Sequence, residues 1–196
     1  MKKSVKIIIV VAVILVVCVV FCVSRYNNLV TLDESVTTAW SNVETQYQRR
    51  ADLIPNLVNT VKGYASHESE TLTAVIEARS KATSLNIDPE NLTAEKLKEF
   101  QSAQGELSTA LGRLIAISES YPDLKANENF RDLQVQLEGT ENRITESRRN
   151  YNTAVQTYNV KVRSFPGNII AALFGFEKKS QFSADAGAEK APTVEF

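Results

Sequence analysis

Cysteine, histidine and the residues of tight turns are scarce in this chain. Both cysteines, Cys18 and Cys22, lie in one apolar run, so no disulfide can staple the rest. The single histidine, His67, brings no further ligands with it, and acidic residues are spread along the sequence. That leaves no metal site, and a serine nucleophile would find its base only if chance geometry brought it to His67. No glycine-rich phosphate loop occurs, and the glycines at 167 and 175 match no such cradle. Catalysis, cofactors and metals are therefore not expected. Seven Gly and five Pro in 196 residues are too few for the frequent turns of an all-β chain, whereas helix formers abound. Basic charge is not in excess either. Three of the 22 basic residues, Lys2, Lys3 and Lys6, precede the apolar run, and the remaining 19 face 23 acidic ones, which is no footprint for nucleic acid.

What is present begins with 17 consecutive apolar residues, Ile7 to Val23. As a helix they span about 26 Å, enough with their neighbours to cross a bilayer if Lys6 snorkels. Twelve of them are Val or Ile, but a lone strand in lipid would leave its backbone unpaired, so a helix is expected. The run is longer than a secretory-signal core, and Cys22-Val23-Ser24 is a poor cleavage site, which favours a retained anchor over a cleaved leader. Three lysines ahead of it, against Arg25 alone just behind, predict a single-pass cell-membrane protein with a cytoplasmic N-terminus and its bulk outside.

Apolar residues then recur at helical spacing in four series. Tyr26, Leu29, Val36, Trp40, Val43 and Tyr47 predict a first helix continuous with the anchor and ending near Arg49 or Arg50. Asp52 as a cap and Pro55 in an early turn open a second, carrying Ile54, Val58, Val61, Ala65, Leu72 and Val75 to about Ala82; one long helix kinked at Pro55 is the alternative. After the break at 86–93, which closes on a Thr93 cap, Leu97, Phe100, Leu107, Leu111 and Leu114 mark a third, ended by Tyr121-Pro122. From a cap at Asn127, Phe130 to Phe165 keep the spacing over nearly forty residues. Four such stripes predict an all-α fold: an N-terminal transmembrane helix continuous with an up-down-up-down antiparallel four-helix bundle. Gly63, Gly105, Gly112 and Gly139 fall inside these helices, where close helix approach would account for them.

The expected organisation is a cytoplasmic N-terminus at 1–6, a transmembrane helix at 7–24, the bundle at 25–165, an apolar C-terminal segment near the membrane at 166–182 and a disordered tail at 183–196. Counting helices puts Tyr47, Arg49, Arg50, Asp52, Asn56, Tyr121, Lys125 and Asn127 at a membrane-distal tip, as a partner-binding surface or as caps and solvated charges. It returns Phe165, Ile169, Ile170, Leu173, Phe174 and Phe176 to the membrane, as a bilayer or partner contact or as a cap over the end of the bundle. Asp33, Glu68 and Gln104 interrupt the stripes, where buried polar groups need partners and can fix register.

Several stretches resemble the LemA family of bacterial membrane proteins. They are Tyr26-Asn27 with Leu29-Val30, Asp33-Glu34, Ala39-Trp40, Asn42-Val43, Gln46 through Val58, Val61 to Tyr64, His67-Glu68, Tyr121-Pro122, Leu124 to Asn127, Thr140 to Asn142, and Tyr151-Asn152 to Phe165-Pro166. The resemblance covers about residues 25–176. It implies an antiparallel bundle behind one membrane helix, no established enzymatic activity and association with membrane proteins, a membrane protease among them, or with membrane organisation. The expected function is a non-enzymatic membrane-anchored scaffold or adaptor whose partners are membrane proteins and the lipid bilayer, with homo-oligomerisation open and no nucleic acid. An extracytoplasmic ligand-sensing helical bundle is the alternative.

Overall fold

A computed structural model describes residues 3–183 apart from Asn86, Asp88, Glu90 and Asn91. The predicted tail beyond Ser183 and part of the predicted break at 86–93 thus lie outside the described residues. All regular structure among the described residues is helical: α1 (Lys3–Tyr64), α2 (Ser69–Ser84), α3 (Ala94–Ile117), a 3-10 turn (Ser118–Ser120), α4 (Pro122–Ala126), α5 (Glu128–Arg163) and α6 (Gly167–Phe174). Helix α1 carries the apolar run and is long and apolar enough to cross a membrane; nothing in the fold covers that run.

The predicted break between Arg49 and Asn56 does not occur. Helix α1 runs unbroken through Pro55 for 62 residues, about 93 Å. Proline has no N–H for the carbonyl four residues back, so Ala51 loses its intrahelical donor. Arg79 of α2 supplies one, its Nε donating to the Ala51 carbonyl at 2.8 Å. The chain instead reverses at Ala65 to Glu68, where Glu68 N–H donates to the Ala65 carbonyl at 3.1 Å and Ala65 is fully buried. No proline or Asn-Gly pair marks that turn, which is why apolar spacing ran straight across it.

Pairing along the bundle is antiparallel. Trp40 meets Tyr151, Arg50 meets Glu141 ten residues later on α1 and ten earlier on α5, and Tyr64 meets Asn127. Helix α2 lies along α3, with Gln104 Nε2 donating to the Ala82 carbonyl and Lys81 paired to Glu106. Two caps fall where the sequence placed them: Thr93 Oγ1 accepts from Lys96 N–H at 3.3 Å, and Asn127 Oδ1 from Phe130 N–H at 2.9 Å.

Helices α2 and α3 are too short to accompany α1 and α5 to the base, the end where the apolar run emerges. There α6 and an extended strap, residues 177–183, take their place. Asn159 accepts from Lys179 N–H and donates to its carbonyl, and Asn152 does the same for Phe182. The spacing explains the fit, since seven helical residues and three extended ones both advance about 10 Å.

The interior forms two apolar clusters. One, towards the base, gathers Leu29, Val36, Trp40, Val43, Tyr47, Phe100, Tyr151, Tyr158, Ile170 and Phe182. The other, towards the far end, gathers Ile54, Leu57, Val61, Leu72, Val75, Leu107, Leu114, Leu124 and Phe130. Close helix approach does not account for the helical glycines: a Cβ at Gly63, Gly105, Gly112 or Gly139 would meet nothing within 4 Å.

Candidate functional site: the base, the waist and the far end

At the base, Tyr26 stands three residues beyond the apolar run, and its ring packs on Phe174 at 4.8 Å and Phe176 at 5.7 Å between centroids. This anchors α6 beside the point where α1 emerges. The helix divides its faces: Ile170 and Ala171 are buried in the base cluster, while Phe165 is 82% exposed, Leu173 73%, Ile169 56% and Phe174 54%. Phe176 is half-buried against the same cluster. One face of the segment caps the core, and the other is open and apolar. Gly175, with φ of 76°, ends α6 in the left-handed conformation that turns the chain into the strap.

Phe182 at the end of the strap is buried, stacked on Trp40 at 5.9 Å and edge-on to Tyr151 at 5.4 Å, with the Arg148 guanidinium 5.0 Å from its ring. Lys179 forms an ion pair with Asp33 and lies over the Tyr158 ring. Asp33, which interrupts the first stripe, thus has its partner in the strap. Burial pushes the Tyr158 phenol up to about 12, with Asp33 and Glu177 adding to the shift, and burial raises Tyr151 as well.

The waist of the bundle is polar. The Arg50 side chain is only 2% exposed and sits between the two apolar clusters. It donates to Glu141 Oε1 at 2.6 Å, Ser108 Oγ at 2.7 Å, and both the backbone and side-chain oxygens of Gln104, and its guanidinium lies 5.1 Å from the centre of the Tyr47 ring. Gln104 passes the network on to α2 through Ala82. Four helices are therefore tied at one level, and a one-residue slip of α1, α3 or α5 would leave a buried cation unmatched. Beside this layer α2 ends, leaving an open groove of about 1110 Å³ lined by Glu44, Arg49, Asp52, Phe100 and Gln104 among others. Burial holds the Glu44 carboxyl above its usual range, an effect the Trp40 indole partly offsets.

The eight residues predicted to share a distal tip do not come together. Tyr121, Lys125 and Asn127 are at the far end, where Tyr121 donates to Glu68 Oε1 at 3.1 Å, Lys125 pairs with Glu119 at 2.6 Å and Asn127 donates to Tyr64 at 3.0 Å. The Glu68 carboxylate raises the Tyr121 phenol. Tyr47, Arg49, Arg50, Asp52 and Asn56 sit in the last third of α1, about 12 to 26 Å short of its Tyr64 end at 1.5 Å per residue. Tyr47 is buried against Phe100, Arg50 is in the waist, and Arg49, Asp52 and Asn56 are exposed, with Asp52 accepting from Gln48 at 2.8 Å. The misplacement follows from the helix break assigned to Pro55. The strap was missed altogether; its one signal in the sequence is the pair of asparagines seven apart on α5. Among the described residues no group of three or more His, Cys, Asp or Glu could hold a metal ion.

A model of the LemA family matches residues 39–196. The chain is 32% identical over 176 residues to magnetosome protein MamQ 2 of Paramagnetospirillum magneticum, and 31% to MamQ of Magnetospirillum gryphiswaldense, covering 81% of this chain in each case. It is 27% identical over 149 residues, 76% of this chain, to protein LemA of Metamycoplasma hominis. The matches span 64% of the length of each of these relatives.

Proposed function

The chain belongs to the LemA family, and from that premise we propose that it is a non-enzymatic, membrane-anchored scaffold that holds an up-down-up-down helical bundle on the outer face of a membrane and presents it to membrane-protein partners. The observation that carries the reading is the base. Helix α1 passes from the apolar run into the core without a break, and the open apolar face of α6 returns to the root of the same helix through Tyr26. A span that is also a core helix is poorly suited to removal as a leader. An apolar face beside it fits the bilayer interface. Lys2, Lys3 and Lys6 ahead of the span, against Arg25 alone just behind it, support the outer placement. The relatives named magnetosome proteins favour organisation of a membrane as the form the scaffold takes here.

Photo-crosslinking amino acids at Leu173 on α6 and Lys125 at the far end, against Val135 on an open helix face as control, test the proposal in native membranes. Capture of a membrane protein or lipid above the Val135 control is expected at one or both sites. Equal yields at all three would remove the basis for the scaffold.

The groove beside the Arg50 layer favours a second reading, an extracytoplasmic ligand-sensing bundle. A small molecule filling a space of that size should raise the melting temperature of the full chain, and substitution of Glu44 or Arg49 should abolish the rise.

A further inference from the structure

The base carries a second feature that the apolar face of α6 does not explain. Between the α1 stem and the corner joining α5 to α6 is a small pocket of about 80 Å³, lined by Arg25, Asn28, Leu29, Lys161 and the corner residues Ser164 to Gly167. Arg25 and Lys161 reach it from different helices. Arg25 follows the last apolar residue, Val23, by two positions, so the pocket lies at the level where lipid headgroups begin. The corner is tight: a Cβ at Gly167 would come within 2.7 Å of the Lys161 carbonyl, so the chain can close on the α1 stem only with glycine there.

Around the pocket itself, charge is mainly positive. No acidic residue occurs between Glu146 and Glu177, and on α1 Arg25 is the only charged residue between the apolar run and Asp33. Asp33 itself is taken by Lys179. Lys161 has no acidic partner among the described residues, and Arg25 lies over the Phe21 ring, 4.9 Å from its centre, rather than against a carboxylate. Two cations thus flank a cavity with room for a few water-sized groups, which suits one phosphate and not a sugar ring.

We infer that this pocket takes the phosphodiester of an anionic phospholipid headgroup, with Arg25 and Lys161 as its counter-charges. The inference rests on the reading that the base sits on a bilayer. It goes further by naming a lipid class, for a zwitterionic headgroup brings its own ammonium into a site that already holds two cations.

The test uses the full chain in phosphatidylcholine vesicles containing trace spin-labelled lipid, either phosphatidylglycerol or phosphatidylcholine. Association with the protein is read as the motionally restricted fraction. Wild type should favour phosphatidylglycerol, and Lys161→Gln or Arg25→Gln should each cut that preference about five-fold, as expected for loss of one cation at the headgroup level. Arg163→Gln is the control, because Arg163 is an exposed cation of the same corner outside the pocket and should change the preference much less. Equal loss from Lys161→Gln and Arg163→Gln would overturn the pocket in favour of diffuse charge, and no preference in wild type would overturn it outright. Abolition of the preference by added inorganic phosphate would assign the site to a soluble anion and overturn the lipid. A nitroxide at Leu173 separates this outcome from the underlying reading. If Leu173 lies in the bilayer while the preference is absent, the pocket alone fails; if Leu173 lies in water, the seating of the base fails with it.

Discussion

The Arg50 layer makes an asymmetric prediction. Arg50 and Glu141 form one ion pair at 2.6 Å, but the arginine side chain is 2% exposed and the glutamate 44%. Removing the exposed partner should therefore cost more than removing the buried one. Glu141→Ala leaves a guanidinium in the interior with the neutral acceptors Ser108 and Gln104 only. Breaking a buried pair in this way costs about 3–5 kcal/mol, and the remaining acceptors place the value near about 3. Arg50→Met removes the charge together with its desolvation. Glu141 then rehydrates, and the main loss is the donor to the Gln104 side chain, about 1–2 kcal/mol. Thermal unfolding of the full chain in detergent, followed by circular dichroism, reads the difference. At about 2–4 °C per kcal/mol for a chain of this size, Glu141→Ala should lower the midpoint by about 6–12 °C. The double variant should fall close to Arg50→Met alone, since the stranded charge is gone. A Glu141→Ala variant no less stable than Arg50→Met, or a double variant at the sum of the two, would refute the reasoning.

Further outcomes follow from single contacts. Arg79→Met should cost about 1.5–3 kcal/mol by freeing the Ala51 carbonyl, and much less in a Pro55→Ala background, where residue 55 regains an N–H; equal costs in both backgrounds would disprove that link. Gly105→Ala and Gly112→Ala should each stabilise the chain by about 1 kcal/mol, because both are helical and a Cβ meets nothing; a lowered melting temperature would show a contact that the structure lacks. Phe182→Ala should cost about 3 kcal/mol, shift Trp40 emission to the red and speed amide exchange at Lys179 and Phe182; unchanged exchange would mean that the strap holds without its aromatic end. Tyr158 titrates higher folded than unfolded, so its contribution is intact below about pH 10 and is lost as pH rises through about 12. Tyr158→Phe should lose less stability than wild type across that window in parallel alkaline melts.

The helical periods were legible because each helix buries one stripe: Leu97 to Leu114 on α3 and Phe130 to Tyr158 on α5 are buried largely as their spacing implied. The caps at Thr93 and Asn127 were legible because they are local chemistry. Pro55 misled because its effect depends on a residue 24 positions away, Arg79, which satisfies the carbonyl that proline strands. The turn at Ala65 to Glu68 has no local breaker, so only packing of Ala65, Leu72 and Val75 reveals it. Arg50 looked like an exposed tip residue beside Arg49 because its acceptors come from α3 and α5. The strap has neither helical nor strand period, and its register is set by partners far away in sequence: the doubled hydrogen bonds of Asn152 and Asn159, the Lys179–Asp33 pair and the stacking of Phe182 on Trp40.

The central claim, that the open face of α6 sits in the bilayer while the far end stands clear of it, is tested most directly by spin-label accessibility. With Cys18 and Cys22 replaced by serine, single nitroxides at Leu173 and Lys125 of the full chain in vesicles are compared for collision with oxygen and with a water-soluble nickel chelate. The account predicts high oxygen and low nickel accessibility at Leu173 and the reverse at Lys125. Equal nickel accessibility at the two positions would contradict it.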